Sequence, residues 1–97
     1  MIKDSSTECW NQVNIDEWIE KAQTNDFRIY YIMPYTLEKL GDVKDKYILD
    51  LGCGEGGYSR ALSHKGAIVT AADCSEVFIE YAKNKAKEEG LRIEHYA

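Results

Sequence analysis

Four glycines fall within the six residues Gly52-Cys53-Gly54-Glu55-Gly56-Gly57. Such a run cannot be the interior of a helix or strand, because each glycine there costs roughly 0.5–1 kcal/mol of stability. It must be a loop, and its flanks restrict what that loop can join. Before it stands Tyr47-Ile48-Leu49-Asp50-Leu51, a short apolar run whose length and adjoining glycines read as a buried strand. After it, Tyr58, Ala61 and Leu62 recur at helical spacing, which predicts a short amphipathic helix with Gly66 at its C-terminal end. A strand, a glycine loop and a helix in immediate succession belong to parallel α/β architecture.

The pattern then repeats. Ala67–Ala72 reads as a second buried strand closed by Asp73. Ser75 is a suitable N-cap for a helix that buries Val77, Phe78, Tyr81, Ala82 and Ala86 and ends at Gly90. Its Lys83, Lys85 and Lys87 form a solvated face with Glu80, Glu88 and Glu89, and Glu80 with Lys83 is a candidate pair. Arg92–Tyr96 begins a third strand. The expected fold class is α/β, a partial Rossmann-like parallel sheet of order 3-2-1 with right-handed crossovers.

Residues 1–45 are looser in pattern and read as an N-terminal helical cap segment, with residues 46–97 as the sheet-forming half-domain. Asn14 or Asp16 caps a helix through Trp18 and Ala22, which Thr24-Asn25-Asp26 breaks. Pro34 suits the first position of a further helix through Leu37 and Leu40, stopped by Gly41.

The loop matches G-x-G-x-x-G through Gly52, Gly54 and Gly57, with an acid, Asp73, about 20 residues on at the end of the next strand. That context suits a ligand carrying a ribose, whose hydroxyls a carboxylate accepts. Two ligands fit, a dinucleotide and S-adenosylmethionine. Asp50 favours the second. Dinucleotide folds usually have an apolar residue there, and a buried carboxylate needs a partner, either a cationic ligand or loop N–H groups.

Residues 47–90 resemble the start of a class I S-adenosylmethionine-dependent methyltransferase. D-L-G-C-G-E-G resembles that family's first motif and Asp73-Cys74-Ser75 its second. Residues 10–36 more loosely resemble the N-terminal helices that cover the cofactor in small-molecule members. The resemblance implies cofactor-binding roles for Asp50, Gly52, Cys53, Gly54, Gly56, Asp73 and Cys74. Asp50 would face the methionyl ammonium or order the loop. Gly52, Gly54 and Gly56 would line the methionine and ribose, Asp73 would hold the ribose, and Cys74 would border the adenine. Tyr30 is a candidate to close over the cofactor carboxylate. Glu55 is expected to point to solvent. No catalytic nucleophile is singled out; methyl transfer is an in-line displacement in which positioning supplies much of the catalysis.

The remaining features bound the partners. The net charge is −5 and no basic patch stands free of acids, which argues against nucleic acid. No apolar run exceeds six residues, far below the roughly 20 needed to cross a bilayer, and the first residues lack a secretory core. Cys9, Cys53 and Cys74 are odd in number, with no CxxC and no zinc-ligand spacing, so free thiols, no metal and a cytoplasmic location are expected. His64 and Lys65 suit a helix end, and His95 a half-exposed strand position. The chain reads as the N-terminal half of a longer enzyme with a small-molecule methyl acceptor, inactive alone. The open edge of its first strand is a candidate homodimer surface. A dinucleotide half-domain of an oxidoreductase and a non-catalytic interaction module are the alternatives.

Overall fold

The computed structural model describes residues 5–97; the first four residues of the expected cap segment lie outside the described residues. Three strands, β1 (Tyr47–Leu51), β2 (Ile68–Ala72) and β3 (Ile93–Tyr96), form one parallel sheet in the order β1-β2-β3, which is the expected 3-2-1 read from the other edge. Tyr47 pairs with Ile68 and Leu51 with Ala72; Val69 pairs with Ile93 and Ala72 with Tyr96. Helices α4 (Gly57–His64) and α5 (Glu76–Glu88) make the two crossovers. They cover the same face of the sheet, because each connection advances the chain in the same direction with the same hand.

On that face the core forms from alternate strand residues. Val69 packs with Val43, Leu62 and Ala67, and Ala71 packs with Cys53 and Ile79; Ile48 and Ile93 complete the two clusters. The opposite face carries Tyr47, Leu49, Leu51 and Ile68, all exposed. The strands are therefore buried on one side only, where the sequence pattern suggested burial on both. The apolar alternation is complete, but among the described residues helices cover one side of it.

Helix α5 is capped as expected, Ser75 Oγ accepting from Phe78 N–H. Its buried stripe is Phe78, Ile79, Ala82 and Ala86. Val77 lies one position off that stripe and is exposed, and Tyr81 is half-buried. The ion pair on this helix is Lys85 with Glu88 at 3.2 Å rather than Glu80 with Lys83. In α4 the buried residues are Ser59, Arg60 and Leu62, while Tyr58 and Ala61 are half-buried. That inner face is more polar than the apolar spacing implied.

Three helices precede the sheet: α1 (Ser5–Gln12), α2 (Ile15–Thr24) and α3 (Met33–Leu40). Asn14 caps α2, its Oδ1 accepting from Glu17 N–H. Asn25 ends α2 and caps the next turn, Oδ1 accepting from Arg28 N–H. Pro34 stands in the first turn of α3, as expected, but α3 does not start from a loop. A π-helical turn, Arg28–Ile32, runs directly into α3, and Met33 N–H bonds to the Arg28 carbonyl five residues back. A proline removes one N–H and crowds the carbonyl four residues back, and the widened turn relieves both. Gly41 stops α3 at a φ of 69°.

Burial separates two strand positions of similar chemistry. Val69→Ala, at 2% exposure, is expected to cost about 2 kcal/mol, whereas Leu49→Ala, at 59%, stays within about 0.5 kcal/mol. Urea unfolding of the two variants measures the difference.

Candidate functional site

The C-terminal ends of β1 and β2 and the loops after them open a cavity of about 480 Å³, lined by Trp10, Trp18, Gly52, Gly54, Asp73, Cys74 and Phe78. This is where parallel α/β sheets place ligands. The loop is pinned to the sheet by Gly52 and Cys53, whose N–H groups both donate to the Ala72 carbonyl. Asp73 then ties loop to loop: Oδ2 accepts from Gly54 N–H and Oδ1 from Ser75 N–H, each at 2.9 Å. These bonds hold the carboxylate at the cavity wall with a lone pair on each oxygen still available.

The N-terminal helices bring an aromatic wall that sequence reasoning missed. Trp10 and Trp18 meet edge-on at 6.2 Å, and both pack against Phe78, Trp18 at 4.9 Å between ring centroids. The Trp18 ring passes 3.6 Å from where a Gly54 Cβ would stand, and Gly54 has a φ of 56°. The left-handed backbone favours glycine there, and the ring stands at ordinary contact distance. The spacing of Trp10, Trp18 and Phe78 shows only apolar helix faces; nothing local says that the three faces converge.

The expected site residues separate into groups. Gly52, Gly54, Asp73 and Cys74 line the cavity. Asp50 has a partner from α4 that was not expected: Ser59 Oγ, fully buried, donates to Asp50 Oδ2 at 2.6 Å. Cys53 faces the core, where burial, with the Asp50 and Asp73 charges adding, pushes its thiol up to about 12, so it stays protonated and inert. Gly56 lies beneath the loop; a Cβ there would come within 2.8 Å of Arg60 Nη1 and 2.9 Å of the Ala82 Cβ. Its role is close packing of α4 on α5, not lining the cavity. Tyr30 is 69% exposed on the π turn and is not part of the cavity wall. His95 shares a register position with buried Ala71 on the helix-covered face; neither ring nitrogen has a hydrogen-bond partner, and burial lowers its pKa.

Glu55 is the main correction. The side chain expected in solvent is 1% exposed. Arg28 Nη2 donates to its Oε1 and Arg60 Nη2 to its Oε2 at 2.8 Å, while Arg60 Nη1 holds the Glu55 carbonyl. Arg60 Nε continues to Glu89, which also contacts His64. Both arginines were visible in the sequence, but only the fold shows that they meet one carboxylate. Burial by itself would raise the Glu55 pKa; the Arg28 hydrogen bond and charge, reinforced by Arg60, outweigh it and hold the carboxyl below 4.5.

A depressed carboxyl contributes stability that is fully present above pH 4.5 and lost as pH falls through the lower folded value. Glu55→Gln removes this dependence, takes the carboxylate from Arg28 and leaves Arg60 with Glu89 alone, at a cost of about 3 kcal/mol. Urea unfolding from pH 3 to pH 7 (on the order of one unit per step) measures both effects.

Residues 48–97 match a family described as a methyltransferase domain. The ubiquinone biosynthesis O-methyltransferase of Coxiella burnetii is 44% identical over 71 residues, 73% of this chain and 28% of that protein. Its counterpart from Histophilus somni is 38% identical over 73 residues, 29% of its length. The chain thus spans under a third of these curated relatives. A SAM-dependent methyltransferase from Aquifex aeolicus is 25% identical, with a TM-score of 0.67 over 86% of this chain and 46% of that one. The magnesium protoporphyrin IX methyltransferase of Synechocystis with bound SAH shares the fold, with a TM-score of 0.71 over 93% of this chain and 48% of that one at 21% identity. The matched region begins at Ile48 and carries the glycine loop, Asp73 and both crossover helices, so the chain belongs to the methyltransferase-domain family.

Proposed function

We propose that this chain forms the cofactor-binding part of an S-adenosylmethionine-dependent methyltransferase, with residues 1–45 as a helical cap and residues 46–97 as the nucleotide-binding half of the domain. The observation that carries the reading is the cavity wall, in which the Asp73 carboxylate, Gly52 and Gly54 line the same cavity as three aromatic rings. An adenosyl group needs that combination, acceptors for two ribose hydroxyls and an apolar slot for a planar base. S-adenosylmethionine, when bound, supplies a methyl group activated by a sulfonium.

The chain's own residues hold and shield. Asp73 accepts the ribose hydroxyls on the lone pairs left free by Gly54 and Ser75. Trp10, Trp18, Cys74 and Phe78 enclose the base and exclude water. Gly52 lets the main chain approach the methionyl part closely. Asp50 acts through Ser59, fixing the start of α4 against β1, and Cys53 and Gly56 support the loop from beneath. Tyr30 has no role in this arrangement.

The methyl acceptor is a small molecule, and the relatives described as O-methyltransferases support an oxygen atom as its acceptor. Among the described residues no helix is long and apolar enough to cross a membrane. We place the protein in the cytoplasm on its free thiols, Cys9, Cys53 and Cys74. The unpaired edge of β1 and the bare apolar face beside it support pairing with a second copy. Sedimentation equilibrium is expected to show a concentration-dependent dimer; a monomer across the whole range would remove that part of the proposal.

Calorimetric titration tests the cofactor. S-adenosylhomocysteine is expected to bind and NAD not to, with Asp73→Ala weakening the first by at least about tenfold, the scale of hydrogen bonds to a charged acceptor. Binding of NAD alone would move the site to dinucleotide chemistry.

A further inference from the structure

We infer that Arg28 and Glu55 form a latch that sets the position of the cap over the cofactor cavity, with Gly57 as the clearance that lets the latch close. The inference deepens the cofactor reading and rests on it for what the cavity holds.

Arg28 belongs to the π turn that follows α2, the helix that carries Trp18. Glu55 lies in the glycine loop, one residue from Gly54, over which Trp18 passes. One ion pair therefore joins the element that bears the aromatic wall to the loop that forms the cavity floor. Its Arg28 side chain is 19% exposed and its Glu55 side chain 2%, so solvent screens it little. Arg60 fixes Glu55 from the other side through both the carboxylate and the main-chain carbonyl, so the acceptor is rigid before Arg28 arrives.

Gly57 supplies the specific sign of a built device. Its φ is not positive, so its backbone conformation does not ask for glycine. A Cβ at this position would stand 2.6 Å from Arg28 Nη2 and 2.8 Å from Glu55 Oε1. The missing methyl is the space through which the guanidinium reaches the carboxylate. Alanine would otherwise be the better residue in the first turn of α4. Two other cap hydrogen bonds, Asn11 accepting from Ser75 Oγ and Gln23 Nε2 donating to the Tyr81 hydroxyl, are made to α5 and its N-cap. Without the Arg28 pair, α2 and the π turn lose their charged tether to the glycine loop.

Arg28 and Glu55 are thus positioning residues, acting on the cofactor through Trp18. Both tryptophans of the chain lie in the cap and at the cavity, so their fluorescence reports its position. The test uses the full chain and Arg28→Ala, Arg28→Lys and Gly57→Ala. Without ligand, acrylamide quenching of tryptophan is expected to rise at least twofold in Arg28→Ala and Gly57→Ala and to stay near wild type in Arg28→Lys, while amide exchange in β2 is unchanged (all on the order expected for local opening). With S-adenosylhomocysteine, stopped-flow release is expected to be about tenfold faster in the two latch-open variants, the scale of one charged hydrogen bond. Quenching equal to wild type in a folded Gly57→Ala chain would overturn the latch, as would loss of β2 protection together with the cap. If S-adenosylhomocysteine does not bind the unaltered chain, the cofactor reading fails, and the ligand-free quenching still decides the latch.

Discussion

A buried carboxylate between two guanidiniums organises this molecule. Glu55 is almost wholly withdrawn from water, and such a charge is tolerated only when its oxygens are matched by donors. Arg60 comes from α4 and Arg28 from the π turn after α2, so satisfying one side chain fixes three parts of the chain together: the loop, the first crossover helix and the N-terminal helices. The extension from Arg60 to Glu89 carries the same network to the end of α5. The two links to the Glu55 carboxylate are short and directional, which gives the arrangement a register that apolar packing alone would specify less sharply.

Around that hub the polar groups of the loop work in pairs. Ala72 accepts from both Gly52 and Cys53, and Asp73 accepts from Gly54 and Ser75. The strand ends of β1 and β2 and the start of α5 are thereby drawn to one point. The glycines divide the labour physically. Gly54 adopts a left-handed turn, Gly56 yields to a helix below it and Gly57 to a guanidinium beside it.

Much of the fold was legible in the sequence because its signals are local. Ser75, Gly41 and the apolar strand runs act through neighbours within a few residues, and the parallel order follows from short connections and chain handedness. That Asp73 and Cys74 line the cavity was also legible, since their place at the end of β2 follows from the strand–helix alternation. Tyr30 was not, because a residue on a helix faces the cavity or solvent according to the helix's rotation, which only packing sets. Asp50 was read correctly as needing a partner, but Ser59 is nine residues away and reaches it only when α4 folds back.

The sequence by itself determined the secondary structure of residues 47–97, the parallel order of the sheet and the loop at which a ligand belongs. Periodicity, capping and glycine content act over single turns and strands, and the handedness of the crossovers leaves one arrangement. Tertiary structure decided what surrounds that loop: the burial of Glu55 and the meeting of Trp10 and Trp18 with Phe78. These depend on contacts between residues 27 to 68 positions apart in the chain, and no local preference encodes which distant charge or ring will arrive.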